Sequence, residues 1–234
     1  MKIVTVQDAW AGEADCRNCA LRNTALFSGL DETDFEKIHK PIDQFVIPTG
    51  SVLYQTNDDA DYLYTIRSGV IKLTQYLTDG TQRIVRLGFS SDVIGLESIL
   101  MPNYQHNAVA LRDTEVCRIP VAIVNTISTD NQALHKELLT RWQSALNEAD
   151  TWLTQLSTGS AKQRMARLIL KLTEKYGPDQ CELFSREDIG SMLGITTETA
   201  SRTIAEFKRN ALINQIDNHI YSIDPDQLEL VSAD

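Results

Sequence analysis

The segment SREDIGSMLGITTETASRTIAEFKR, residues 185–209, carries the plan of a helix-turn-helix. Ser185 followed by Asp188 has the spacing of a capping box that opens one helix, and Ile189 and Met192 give that helix an apolar side. Gly194 supplies the break that a tight turn between helices requires. Thr196 or Thr197 caps the helix that follows. On it Ala200, Ile204 and Phe207 form a stripe at helical spacing, while Glu198, Ser201, Arg202 and Ala205 fall on the opposite face. That outward face has the chemistry of base reading. Arginine bonds guanine O6 and N7 together, glutamate accepts from the cytosine amino group, and serine bonds or packs beside several bases. Thr197, at the start of the same helix, joins Glu198, Ser201 and Arg202 as a candidate DNA contact.

Glu, Ser and Arg are common on any solvated helix, so the flanks decide between an ordinary surface and a DNA-facing one. Upstream, Lys162, Arg164, Arg167, Lys171 and Lys175 make a basic segment; downstream, residues 212–223 read as a hairpin turning at Asp217-Asn218, the place of a wing. A winged helix-turn-helix that binds double-stranded DNA is the reading these features support together.

The overall charge opposes that reading until it is mapped along the chain. The 234 residues include 22 basic and 32 acidic side chains, a formal net charge of −10. Residues 1–159 hold 13 basic and 20 acidic groups, a balance of −7; residues 160–213 hold 9 and 7, or +2; residues 214–234 hold none and 5, or −5. Only the helix-turn-helix segment is positive. Phosphate attraction acts over a Debye length of about 10 Å, so a mildly basic module docks DNA while the remainder stays acidic. No run of about 18 apolar residues is present, and the start MKIVTVQDAWAGEADC lacks a signal-peptide layout. A cytoplasmic location and no membrane partner are expected. Cys16, Cys19, Cys117 and Cys181 in a reducing compartment are then buried small residues, or a redox or metal device, rather than a disulfide framework.

Residues 42–124 show short β-branched and aromatic runs, among them DQFVIP, SVLYQ, DYLYTIRSG and VIKLTQYL, punctuated by Gly50, Gly69, Asp79-Gly80, Gly88 and Gly95. Such spacing predicts an antiparallel jelly roll. A long helix follows, on which Leu139, Trp142, Leu146, Ala149, Leu153 and Leu156 alternate spacings of three and four, a heptad seam suited to a homodimer. Packing of the helix on its own domain is the alternative. The stretch Ser157-Thr158-Gly159-Ser160 reads as a hinge. The expected fold is α+β: an N-terminal region and sensory β-roll over 1–130, a dimerisation helix over 131–158, and a winged helix-turn-helix domain over 159–234.

With these segments in place the chain resembles the Crp/Fnr family of bacterial transcription regulators over nearly its whole length. Its Glu198-x-x-Ser201-Arg202 pattern resembles the Fnr branch. The resemblance implies a dimer that reads a palindrome of the type TTGAT, four spacer bases, ATCAA, and that contacts RNA polymerase. Cyclic-nucleotide members hold their ligand with a Gly-Glu pair and an Arg-Ser pair before an alanine. Here the matching stretches are Gly95-Leu96-Glu97 and His106-Asn107-Ala108, without the phosphate-neutralising arginine, which argues against a cyclic nucleotide.

Oxygen-sensing Fnr proteins carry a [4Fe-4S] cluster on three N-terminal cysteines and a distant fourth. Cys16, Cys19 and Cys117 match such positions and the third N-terminal cysteine is missing. Three readings stay open: a cluster with incomplete cysteine ligation, a dithiol switch, or inert thiols without a cofactor. Whether any metal binds is open too. A regulator without an effector, or with another small ligand, is an alternative. A metal-dependent jelly-roll enzyme is a further one, disfavoured because His39, His106, His135 and His219 are widely scattered.

Overall fold

The structure, a computed structural model, describes residues 9–13, 26, 30 and 42–233. Two compact units divide the chain, residues 1–75 with 86–147 and residues 76–85 with 148–234.

The strands between Trp10 and Pro120 form two sheets. Strands β1 (Trp10–Glu13), β2 (Asp43–Ile47), β4 (Tyr62–Ser68), β7 (Val93–Ile94) and β9 (Thr114–Pro120) form one sheet in the order β1-β2-β9-β4-β7. Strands β3 (Val52–Tyr54), β5 (Ile71–Tyr76), β6 (Gln82–Gly88) and β8 (Asn107–Ala110) form the other in the order β3-β8-β5-β6. This is the expected β-roll. Along β2 the alternation is strict, Phe45 and Ile47 buried and Val46 exposed, as a strand with one wet face requires. The β4–β9 pair at the sheet centre sets Leu63 opposite Ile119 and Ile66 opposite Val116, all four at 1% exposure or less.

Two helices follow the last of these strands. Helix α1 (Val121–Asp130) buries Val121, Val124 and Ile127. Asn131 breaks the run and caps helix α2 (Gln132–Thr151), its carboxamide oxygen accepting from Leu134 N at 2.9 Å. Leu134 and Leu138 then enter the cluster that contains Leu63, Val93 and Ile119. Arg141 donates to Glu137 at 2.7 Å and to the Ser91 carbonyl at 3.1 Å, which ties α2 to the roll.

In the second unit a π-helical turn (Trp152–Leu156) precedes α3 (Ala161–Tyr176), β10 (Gln180–Glu182), α4 (Arg186–Leu193), α5 (Thr197–Arg209), β11 (Ile213–Gln215), β12 (Ile220–Ile223) and α6 (Pro225–Ala233). The strands pair antiparallel in the order β10-β12-β11. Helix α3 opens with a complete capping box: Ser160 Oγ accepts from Gln163 N, and Gln163 Oε1 accepts from Ser160 N. Its apolar face, Met165, Ala166, Leu168, Ile169 and Leu172, is buried in a core with Phe184, Ile189, Met192, Ile204, Phe207 and Leu228. Each such aliphatic or aromatic burial contributes roughly 1.5–3 kcal/mol against chain entropy, enough in sum to hold a small domain around one helix.

Candidate nucleic-acid interface

Helices α4 and α5 form the helix-turn-helix. Ser185 caps α4 by accepting from Asp188 N at 3.0 Å, and its own hydroxyl donates to Asp188 Oδ2 at 2.6 Å. The aspartate therefore closes on the hydroxyl rather than on the cap's backbone N–H. Gly194 ends α4 in the left-handed region with φ at 63°, its N–H bonded to the Gly190 carbonyl. Gly190 has its own role, unread in the sequence. A β-carbon there would stand 2.7 Å from the carbonyl oxygen of Ile195, so only glycine admits the returning chain. Arg164 of α3 donates to the Leu193 carbonyl and braces the same turn.

Thr196 is the cap of α5, accepting from Thr199 N at 3.2 Å, and Thr197 is the first helical residue. Ala200, Thr203, Ile204 and Phe207 face the core; Thr203 is absorbed there because its hydroxyl donates back to the Thr199 carbonyl at 2.9 Å. Thr197, Glu198, Ser201, Arg202 and Ala205 are all exposed. Arg202 and Glu198 are 73% and 79% exposed and stand 3.7 Å apart. At that distance and in water the pair is weak, so both side chains are available to groups outside the protein.

Not every basic residue upstream serves as surface charge. Arg167 donates to the carbonyls of Ser232, Gln155 and Thr158, and Lys162 pairs with Glu206 at 2.5 Å. These bonds fix α3 to its neighbours. The wing turns over residues 216–219, closed by Ile216 N to Ile220 O at 2.9 Å.

The apolar seam is placed in part as a stripe. Leu139, Trp142, Leu146 and Leu153 are 57%, 38%, 56% and 66% exposed, and Ala149 is exposed with them. Leu156 is fully buried, as is most of Trp152. The π-helical turn explains the difference: its wider turn delays the rotation of the chain, so Leu156 leaves the stripe and joins the core side.

A family profile described as a Crp-like helix-turn-helix domain matches residues 163–231, and one described as a cyclic nucleotide-binding domain matches residues 44–131. The chain belongs to the Crp/Fnr family. Among its relatives, the transcriptional regulatory protein btr of Bordetella pertussis is 28% identical over 218 residues, covering 90% of each chain. The anaerobic regulatory protein of Haemophilus influenzae is 27% identical over 206 residues, 85% of this chain and 80% of that one. The structure of FixK2 from Bradyrhizobium japonicum superposes with a TM-score of 0.76 at 23% identity, over 82% of this chain and 98% of that one, a likeness of fold. This Crp/Fnr protein is thus a DNA-binding transcription regulator rather than an enzyme.

Within its β-roll, the stretch compared with nucleotide-binding members is not a regular strand at Glu97. Gly95, with φ at 76°, starts a one-turn 3-10 helix (Leu96–Ile99) that carries Glu97. Burial would raise the Glu97 carboxyl, yet hydrogen bonds from His106 and from backbone N–H groups hold it below its ordinary range. His106 Nδ1 stands 3.5 Å from Glu97 Oε1. Three buried tyrosine rings also lie in the roll. Tyr54 stacks on Tyr104 with centroids 3.8 Å apart and on Tyr64 at 5.8 Å, and Tyr104 Oη donates to the Tyr62 carbonyl. Burial pushes the Tyr64 phenol up to about 12 and raises Tyr54 and Tyr104 as well.

Of the cysteines, Cys16 and Cys19 lie outside the described residues. Cys117 is buried in β9, with Arg67 Nη1 at 3.8 Å from its sulfur. Cys181, on β10, is fully buried, and burial pushes its thiol up to about 12. A four-thiolate iron–sulfur cluster takes four cysteine sulfurs. With Cys181 sealed in the core of the second unit, Cys16, Cys19 and Cys117 fall one short, and the described residues contain no group of three or more His, Cys, Asp or Glu able to hold a metal ion. The cysteines of this chain do not fit such a cluster. Among the described residues no helix is long and apolar enough to cross a membrane.

Proposed function

We propose that this regulator binds, as a homodimer, a palindrome of the type TTGAT, four spacer bases, ATCAA. The observation that carries the reading is the exposure of Glu198, Ser201 and Arg202 on the face of α5 opposite its buried stripe. Arg202 takes guanine O6 and N7, Glu198 takes the cytosine amino group, Ser201 packs beside a neighbouring base, and Thr197 lies nearest the sugar-phosphate edge. The exposed stripe Leu139, Trp142, Leu146, Ala149 and Leu153 supports pairing with a second copy, since two recognition helices held about 34 Å apart match successive turns of DNA. In this scheme residues 1–130 receive a signal, 131–158 pair, and 159–234 bind DNA, in the cytoplasm and alongside RNA polymerase. Titration of the palindrome against a copy with the guanine of each half-site replaced by adenine tests it: equal affinity for both overturns the assignment.

A second reading concerns the signal, and the contact of Arg67 Nη1 with the Cys117 sulfur at 3.8 Å is the observation that favours it. Cys16, Cys19 and Cys117 then act as a redox-responsive set. Two thiols pass two electrons and two protons to dioxygen or a peroxide and join as a disulfide. DNA affinity of the parent and of each Cys→Ser variant, before and after peroxide, is the measurement. A parent with the same affinity in both states removes redox as the signal.

A further inference from the structure

The last turn of α5 and the wing are joined through one side chain. Lys208 Nζ donates to Gln215 Oε1 at 2.7 Å and stands 5.0 Å from the centre of the Tyr221 ring. The amide nitrogen of the same Gln215 donates onward to the carbonyls of Asp217 and Asn218, at 3.2 and 3.3 Å, which are the carbonyls of the wing turn. A carboxamide accepts at one end and donates at the other, so the ammonium fixes which way it points. Tyr221 lies beneath, 3% exposed on the central strand β12, its hydroxyl 3.5 Å from Arg186 Nη2 at the start of α4. Both helices of the helix-turn-helix thereby reach the wing by a polar chain.

The wing hairpin itself, residues 213–223, contains Asp217 and neither lysine nor arginine. A cation at the end of the recognition helix would ordinarily be read as a phosphate contact. Lys208 is half-buried and already occupied by an amide and a ring, whereas its neighbour Arg209 is exposed. We propose that Lys208 and Gln215 are positioning residues: they set the wing turn against the recognition helix, from which the exposed Asn218 and His219 meet the DNA, and Lys208 does not neutralise a phosphate. The inference rests on the DNA-binding reading and adds to it a division of labour among the basic residues.

The two roles of Lys208 differ in salt dependence. Each phosphate contact contributes about 0.9 to the slope of log K against log salt, or about 1.8 for a dimer on two half-sites. The full chain, its Lys208→Met, Gln215→Met and double variants, and Gln215→Glu are titrated with the palindromic duplex over a potassium chloride series. Lys208→Met and Gln215→Met should each weaken binding by about five-fold, the double variant no further, and none should change the slope. Gln215→Glu keeps an acceptor for Lys208 but loses the donor to the turn, so it should bind as weakly as Gln215→Met. A shallower slope for Lys208→Met, additive losses in the double variant, or parental affinity in Gln215→Glu would each overturn the proposal. Thermal midpoints identify a variant that fails to fold, in which case Gln215→Glu decides alone. The parent's own titration reports separately on the DNA-binding reading.

Discussion

Replacing Arg202 by alanine separates the recognition face from the fold beneath it. The side chain is 73% exposed and its pair with Glu198, itself 79% exposed, spans 3.7 Å. An exposed pair of this kind contributes at most about 1 kcal/mol, and alanine recovers part of that as the better helix former, so folding stability should move by less than about 0.5 kcal/mol. Binding should move much more. A bidentate arginine–guanine contact is worth about 1–3 kcal/mol, so two half-sites lose about 2–6 kcal/mol together, a weakening of roughly 30-fold to 20,000-fold. The assay is an anisotropy titration at one fixed salt concentration, with parent and variant each set against the palindrome and its guanine-to-adenine copy. The parent should lose on the altered site what the variant has already lost on the intact one, and the variant should not distinguish the two. If Arg202→Ala keeps the parental preference at that base, the side chain does not read it.

Three further outcomes are expected. Ala149→Asp combined with Leu153→Glu places like charges on the exposed stripe and should yield monomers in sedimentation; an unchanged profile rejects the seam as a dimer contact. Gly190→Ala forces a β-carbon to 2.7 Å from the Ile195 carbonyl and should cost about 1–3 kcal/mol in urea unfolding, so a parental midpoint would show that the turn gives way easily. The Tyr64 phenol, pushed chiefly by burial from 10.0 to about 12, favours the protonated form in the fold, as do Tyr54 and Tyr104. The stability this contributes is complete below pH 10.0 and is lost as pH rises toward about 12. Phenolate absorbance followed with circular dichroism should show these rings ionising well above pH 10; ionisation near pH 10 in an intact roll would contradict their packing.

Features that depend on periodicity were legible from the residues. The stripe Ala200, Ile204 and Phe207 and the alternation in β2 are direct consequences of side-chain direction, and the hairpin at Asp217-Asn218 follows from turn chemistry. Features that depend on where a distant backbone atom arrives were not. Gly190 looks like any helical glycine until the Ile195 carbonyl is seen against it, and Arg164 and Arg167 count as surface charge until carbonyls claim them. The π-helical turn is invisible to a 3-4 spacing because it changes the period itself, which is why Leu156 parts from Leu153. One missed signal was available: Ser160 and Gln163 have the spacing of a capping box, in a stretch whose glycine suggested only a hinge.

Cys181 turns the second unit into its own clock. A thiol at 0% exposure whose ionisation is pushed up to about 12 does not react with an alkylating reagent at neutral pH while the core around it is closed. Its labelling rate therefore equals the intrinsic thiol rate multiplied by the fraction of time that β10 stands open. Followed by mass after digestion, that rate gives an opening free energy for the winged helix alone, and comparison with and without duplex converts DNA binding into a measurable slowing at a residue that never touches it.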